Sequence, residues 1–257
     1  MKFKLFLIIY FITYAIELKS HELWLEAKDF KLNKYSKLMV NIKVGENFNG
    51  ESYPFLNKET EKLFIQNQNK IIKLKQIDGD YPAIQQNISS SGIQYLYYQS
   101  NKEFLEYDSF DTFLKFTKEY DLSYNNKKSK PPKEIYQRFA KMIFSYNENN
   151  FFESSTNFDF EIINKNNPLE SNVSKILILL NNKPFKKKKF IVFFKYNNKF
   201  IKEKYQTDEN GTANINTKMR GLYLVSAVYL ENMNFIERLK YKADYFSKWA
   251  TLTFRKY

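Results

Sequence analysis

The stretch "LMVNIKVG", residues 38–45, decides the fold class because an apolar residue occupies every second position along it. One face of this stretch carries its regularly spaced apolar residues, Leu38, Val40, Ile42 and Val44. A period of two is typical of a β-strand, in which successive side chains point to opposite faces of the sheet. Residues 38–44 therefore predict a strand, and Gly45 ends it.

Similar stretches recur on both sides of the middle of the chain. Two strand-like runs flank a polar turn at residues 67–69, and Gly92 opens another run. Strand patterns return from about Phe158, with an Asn210-Gly211 turn between two of them. Short strands at this spacing are typical of β-sandwiches. We therefore predict a mainly β protein with two immunoglobulin-like β-sandwich domains.

Two stretches between these halves have helical spacing. The first, "DSFDTFLKFTKEYDL" at residues 108–122, repeats apolar residues at i, i+3 and i+4, and Asp108 or Ser109 can cap it. The second, "PPKEIYQRFAKMIF" at residues 131–144, opens with two prolines and also has an apolar helical face. Both predict helices in a short insertion. The predicted divisions are a leader at 1–20, an N-terminal sandwich at 21–102, a helical connection at 103–150 and a C-terminal immunoglobulin-like sandwich at 151–257.

The leader, "MKFKLFLIIYFITYAIELKS", has the features of a secretory signal peptide. Lys2 and Lys4 precede an apolar run over residues 5–16, and Ser20 is a small residue at the cleavage position. The run is shorter than the roughly 20 apolar residues of a membrane-spanning helix. We therefore expect a periplasmic or secreted protein without a stable membrane span after removal of the leader. Cleavage after Ser20 would make His21 the first residue.

Composition excludes several classes of protein. Hydrophobic residues are 43% and aromatic residues 18% of the chain, which is too apolar for a disordered protein. The absence of cysteine excludes disulfides, cysteine zinc sites and cysteine nucleophiles. With one histidine, no G-x-S-x-G motif, no phosphate loop and no dinucleotide fingerprint, we expect no enzyme. The net charge of +13 comes from lysines spread along the chain, so we predict no nucleic-acid partner.

Seven segments of the chain resemble segments of the DUF4198 family, in the same order. They are "HELWLEA" at 21–27, "VGENFNG" at 44–50, "EIYQRFAK" at 134–141, "FEIINKNNP" at 160–168, "LNNKPF" at 180–185, "TDENGTANI" at 207–215 and "GLYLVSA" at 221–227. The resemblance implies an exported, β-rich protein, and some members of the family are associated with nickel or cobalt uptake. The positions that match the family motifs are His21, Glu22, Trp24, Gly45, Glu46, Gly50, Glu134, Tyr136, Arg138 and Lys141. The chain departs from the pattern at Ala27, where proline is usual, and it has no second histidine.

One hypothesis is that the processed N-terminus binds a transition metal in support of metal uptake, with a transporter or another envelope protein as the partner. An N-terminal His21 offers its α-amine and its ring Nδ1, and such nitrogen donors suit nickel, cobalt and copper. Glu22 and Glu46 are the further candidate ligands by motif. The alternative is a non-catalytic structural or adaptor module that binds an envelope protein or a glycan.

In the second predicted helix, the charged residues Glu134, Arg138 and Lys141 fall on one helical face. They could form an ordinary ion pair within the helix. They could instead help to dock the two sandwiches, which is the functional interpretation of the same spacing.

Overall fold

A computed structural model describes residues 22–34, 36–125, 130–147, 150–197 and 199–257. Its strands are β1 Glu22–Ala27, β2 Lys31–Leu32, β3 Lys37–Glu46, β4 Asn49–Tyr53, β5 Thr60–Asn67, β6 Lys70–Lys73, β7 Ile84–Asn87, β8 Gly92–Ser100, β9 Glu103–Glu106, β10 Lys133–Tyr146, β11 Phe160–Asn164, β12 Val173–Leu180, β13 Lys183–Pro184, β14 Lys189–Tyr196, β15 Lys199–Gln206, β16 Thr212–Asn216, β17 Gly221–Asn232 and β18 Tyr245–Lys256. The α-helices are α1 Phe110–Tyr120 and α2 Phe235–Tyr241, and a 3-10 turn covers Asn57–Glu59.

These strands form one large sheet and two small ones. The large sheet has ten strands in the order β15-β14-β17-β18-β10-β8-β5-β6, and β2 and β9 also pair with β10. One small sheet contains β1, β3 and β4, with β7 paired to β3. The other contains β11, β12 and β13, with β16 paired to β12. Most pairs are antiparallel, but β10 runs parallel to β18 and to the short strand β2.

The large sheet is covered on both faces. Along β17, Leu222 and Leu224 enter a core shared with β1 and β3, whereas Tyr223 and Val225 enter a second core shared with β11 and β12. The large sheet therefore lies between the two small sheets. A sheet buried on both faces has strands with near-continuous apolar sequence, as "GLYLVSAVYL" in β17 shows. This confirms the prediction of a mainly β protein with sandwich packing.

The large sheet joins strands from both halves of the sequence. Strands β5, β6 and β8 come from the predicted N-terminal sandwich, and β14, β15, β17 and β18 come from the predicted C-terminal one. Strand β10 lies between the two groups and pairs with both. The domain boundaries at residues 102 and 150 stay predictions. The structure adds that one hydrogen-bonded sheet extends across both.

The first predicted helix is confirmed and the second is wrong. Helix α1 begins after Ser109, whose Oγ accepts a hydrogen bond from the backbone nitrogen of Thr112 at 3.1 Å. The second stretch is strand β10 instead. It pairs with β18 along one edge and with β9 and β8 along the other, and this pairing overrides the helical spacing of its apolar residues. The helical face proposed for Glu134, Arg138 and Lys141 therefore does not exist.

Candidate functional site

A tight hairpin between β3 and β4 presents Glu46 at its end. Glu46 pairs with Asn49, so that only Asn47 and Phe48 form the loop. Both have positive φ, 54° and 58°, as a type I′ turn requires. Gly45 lies directly against the returning strand, where an added Cβ would be 2.2 Å from the carbonyl oxygen of Asn49. The glycine is therefore needed for the close approach of the two strands.

Trp24 fixes this hairpin against β1. Its side chain is fully buried, and its ring meets the ring of Phe48 edge-on with centroids 5.9 Å apart. A Cβ added to Gly50 would lie 2.6 Å from the Cη2 atom of Trp24, so the indole packs directly on the backbone of β4. The family-like residues Trp24, Gly45 and Gly50 therefore have a structural role, which is to set the position of Glu46 relative to β1.

A pocket of about 250 Å³ opens where β1 begins. Its wall is formed by Glu22, Glu46, Asn47, Thr112, Lys115, Phe116, Glu119, Tyr120 and Lys202. These residues come from the start of β1, the β3–β4 hairpin, α1 and β15. Helix α1 is held there by its buried aromatic face, and Phe116 stacks on Trp249 with centroids 5.1 Å apart. Packing between distant elements therefore assembles the wall.

Glu22 is the buried acid of this pocket. Its side chain is on the inner part of the wall, and the residue is 5% exposed. The hydroxyl of Tyr120 donates a 2.7 Å hydrogen bond to Glu22 Oε1, and the same hydroxyl lies 2.9 Å from Ser226 Oγ. Burial raises the pKa of Glu22 to about 7, although the hydrogen bond from Tyr120 acts in the opposite direction. Glu22 therefore changes its charge near neutral pH.

The pocket also contains an ion pair. Lys202 of β15 contacts Glu119 of α1 through a charge-assisted hydrogen bond, and each side chain is about one-third exposed. This pair joins the helix to an edge strand of the large sheet. Such a partly exposed pair stabilises the fold only weakly, because water screens it. Its clearer consequence is to place a third carboxylate at the pocket.

The structure brings together two of the three residues that the sequence suggested as metal ligands. Glu22 and Glu46 line the same pocket, whereas His21 lies outside the described residues. Sequence reasoning missed Glu119 and Tyr120. The signal available for them was their place in the last turn of the predicted helix α1. Across the described ranges, no group of three or more histidine, cysteine, aspartate or glutamate side chains is arranged to hold a metal ion.

The family-like residues of β10 do not line this pocket. Alternation along the strand directs Tyr136 into the same core as β1, and Lys141 lies on the opposite face. Buried Glu134 accepts a 2.6 Å hydrogen bond from the Tyr107 hydroxyl and another from Ser247. These residues therefore make separate structural contacts rather than a common site.

The other residues of this group have their own partners. The Tyr136 hydroxyl donates to Glu103 at 2.5 Å, and the guanidinium of Arg138 lies 4.5 Å from the centroid of the Tyr136 ring. Lys141 forms a buried ion pair with Glu153. The charged pattern of "EIYQRFAK" thus reflects several distinct contacts on the two faces of a strand.

No helix among the described residues has the length and apolar character needed to cross a membrane.

Comparison with known proteins identifies the family. A search of curated proteins found no match. The profile described as "Domain of unknown function (DUF4198)" matches residues 18–231, most of the chain. The protein therefore belongs to the DUF4198 family.

Proposed function

We propose that this protein is exported and binds a divalent transition metal ion, nickel, cobalt or copper, in support of metal uptake. The ligands are His21, freed by processing, together with Glu22 and Glu46. The observation that carries the proposal is that Glu22 and Glu46 line one pocket at the start of the described chain. A metal-uptake transporter or another envelope protein would be the partner that receives the ion.

Chain connectivity supports this set of ligands. Glu22 pairs across the antiparallel sheet with Gly45, and Glu46 follows Gly45 directly. His21 precedes Glu22 directly, and consecutive Cα atoms are about 3.8 Å apart. Glu22 begins one strand, and Glu46 belongs to the neighbouring strand. An ion between the two strands would be within reach of side chains from both.

The chemistry of the donors favours such an ion. The α-amine and Nδ1 of an N-terminal histidine form a chelate with two nitrogen donors, and carboxylates add negative charge. Tyr120 holds the Glu22 carboxylate in one orientation, as residues behind metal ligands commonly do. Both nitrogens and Glu22 must lose their protons before binding, so affinity should fall as the pH drops.

Calorimetric titration of the mature protein with nickel, cobalt and copper salts tests the proposal. We expect binding by protein that begins at His21 and much weaker binding by a form with one extra residue before it. Glu22→Gln and Glu46→Gln should each weaken binding. Glu51→Gln, which changes an exposed glutamate on the same hairpin outside the pocket, is the matched control. Equal affinity in the processed and extended forms would refute the role of the amine.

The alternative function, a non-catalytic adaptor for an envelope protein or glycan, is supported by α2. This helix exposes Phe235, Ile236 and Leu239, with 75%, 75% and 65% of their surfaces accessible. A reciprocal capping box between Asn234 and Glu237 fixes its first turn. Adjacent exposed apolar side chains of this size are typical of binding surfaces.

The adaptor function predicts a surface that works without metal. The double substitution of Ile236 and Leu239 by serine should abolish capture of a defined envelope partner while leaving metal titration unchanged. Replacing Lys240, an exposed residue of the same helix, by serine provides the control. Undiminished capture by the double variant would exclude this surface.

A further inference from the structure

A buried polar cluster lies in the second core, between the large sheet and the sheet of β11 and β12. Lys141 belongs to β10, Asn164 ends β11, and Glu153 comes from the segment between these strands. The side chains of Lys141 and Glu153 are 3% and 0% exposed, and Asn164 is 1% exposed. An amine, a carboxyl and a carboxamide therefore meet in a space from which water is excluded.

Glu153 bridges the other two groups. Its Oε1 contacts the Nζ of Lys141 in a short charge-assisted hydrogen bond. Its Oε2 accepts a hydrogen bond of 3.0 Å from the Nδ2 of Asn164, and another of 3.0 Å from the Asn164 backbone nitrogen. The amine and the carboxamide are therefore bound to the two oxygens of one carboxyl group.

The carboxamide is also polarised from its other side. Ser174, fully buried on β12, donates a 3.2 Å hydrogen bond to Asn164 Oδ1. A hydrogen bond to this oxygen stabilises the negative charge that develops there when a nucleophile attacks the amide carbon. Asn164 thus has a hydrogen-bond donor at its oxygen and, at its nitrogen, a carboxyl group that can deliver a proton to the leaving nitrogen once it is protonated.

The surroundings favour transfer of protons within the cluster. The rings of Tyr95 and Tyr97 lie 5.7 Å and 5.4 Å from Lys141 Nζ. Burial raises the pKa of Glu153, although Lys141 opposes this shift. A carboxylate with a raised pKa is a better proton acceptor, so Glu153 can take a proton from the Lys141 ammonium group.

We propose that Lys141 and Asn164 condense into an intramolecular isopeptide bond, with Glu153 as the group that transfers protons. Glu153 first takes a proton from the Lys141 ammonium, and the neutral Nζ attacks Cγ of Asn164. Glu153 then gives a proton to Nδ2 and takes one from the attacking nitrogen. The Cγ–Nδ2 bond breaks and ammonia leaves. The products are an Nζ–Cγ amide, ammonia and a protonated Glu153, so atoms and charge balance without an oxidant or a co-reactant.

The Nζ of Lys141 also lies 3.9 Å from a second carboxylate, Glu161. The bond would join β10 of the large sheet to β11 of the small sheet and close the segment between them. A chain without cysteine would thereby gain a covalent link between two layers of its fold.

Mass spectrometry of the purified wild-type protein tests the proposal directly. We expect an intact mass lower than that of the processed sequence by one ammonia. Tryptic digestion should give a branched peptide that contains both Lys141 and Asn164, with no cleavage after Lys141. An intact mass equal to that of the processed sequence would overturn the proposal. An unlinked peptide that ends at Lys141 would also overturn it.

Variants assign the roles. Glu153→Gln should keep the full mass, because the proton-transfer group is absent, and Lys141→Arg should also keep it. Asn166→Ala is the matched control, since it removes a carboxamide two residues from Asn164 whose hydrogen bonds are to the backbones of Val173 and Lys175. This control should still lose one ammonia. Loss of ammonia by Glu153→Gln would refute the role of Glu153. The wild-type masses decide whether the bond exists even where a variant fails to fold.

Discussion

Glu22 links the stability of this protein to pH. Its pKa rises from 4.5 to about 7 because the folded chain buries the carboxyl group. Between these values the folded state holds a proton that the unfolded state has lost, so stability falls as the pH rises through this window. The full penalty, about 3 kcal/mol, is present above pH 7.

The variant Glu22→Gln tests this linkage. Glutamine is neutral and keeps an oxygen that can accept from Tyr120, so the variant should gain stability over wild type as the pH rises from about 5 to about 8. Urea unfolding at several pH values measures the difference in free energy of unfolding between the variant and wild type. The contributions of other buried acids, such as Glu134 and Glu153, are common to both proteins and cancel in this difference. Glu51→Gln, at an exposed position on the β3–β4 hairpin, is the control. A constant difference between wild type and Glu22→Gln would show that Glu22 is not buried as described.

Single residues also show how far sequence reasoning reaches into the site. Glu22 and Glu46 are candidates by family motif, and the motif residues beside them, Trp24 and Gly45, shape the hairpin by local contacts. Tyr120 belongs to a separate helix, 98 positions from Glu22 in the chain. Packing of α1 on the large sheet brings Tyr120 to Glu22, and no local pattern in the sequence encodes this contact.

Strand β10 shows the same limit for elements. Its apolar and charged residues fit a helical period, but neighbours on both edges hold it extended. Strand β3 was predicted correctly because one of its faces is more apolar, which gives a clear period of two. Strand β10 is buried on both faces over much of its length, so that contrast between faces is lost.

Hydrogen exchange distinguishes β10 from a helical insertion. As an interior strand of the large sheet, β10 should contain some of the most slowly exchanging amides in the protein. Strand β15, for which the described part of the chain shows pairing with β14 alone, is the comparison and should exchange faster. Exchange followed by mass spectrometry resolves peptides from 133–146 and 199–206. Faster exchange in the β10 peptides than in those of β15 would contradict the position of β10 in the sheet.

At the scale of the whole molecule, two cores share one sheet, and this has a consequence for unfolding. Leu25 is fully buried in the core beside β1, and Ile178 is fully buried in the core beside β11. Strands such as β17 contribute alternate residues to both cores, so loss of one core removes support from the other. We therefore expect one cooperative transition, as in a single structural unit.

Calorimetry of Leu25→Ala and Ile178→Ala tests this coupling. Each substitution removes a fully buried aliphatic side chain and should cost about 2–5 kcal/mol. Because the cores share the large sheet, both variants should lower the midpoint of the same single transition. Ile77→Ala, which truncates a side chain that is 76% exposed, should leave the midpoint nearly unchanged. Two transitions, each shifted by only one core variant, would instead show that the two sandwiches unfold as independent domains despite the sheet that joins them.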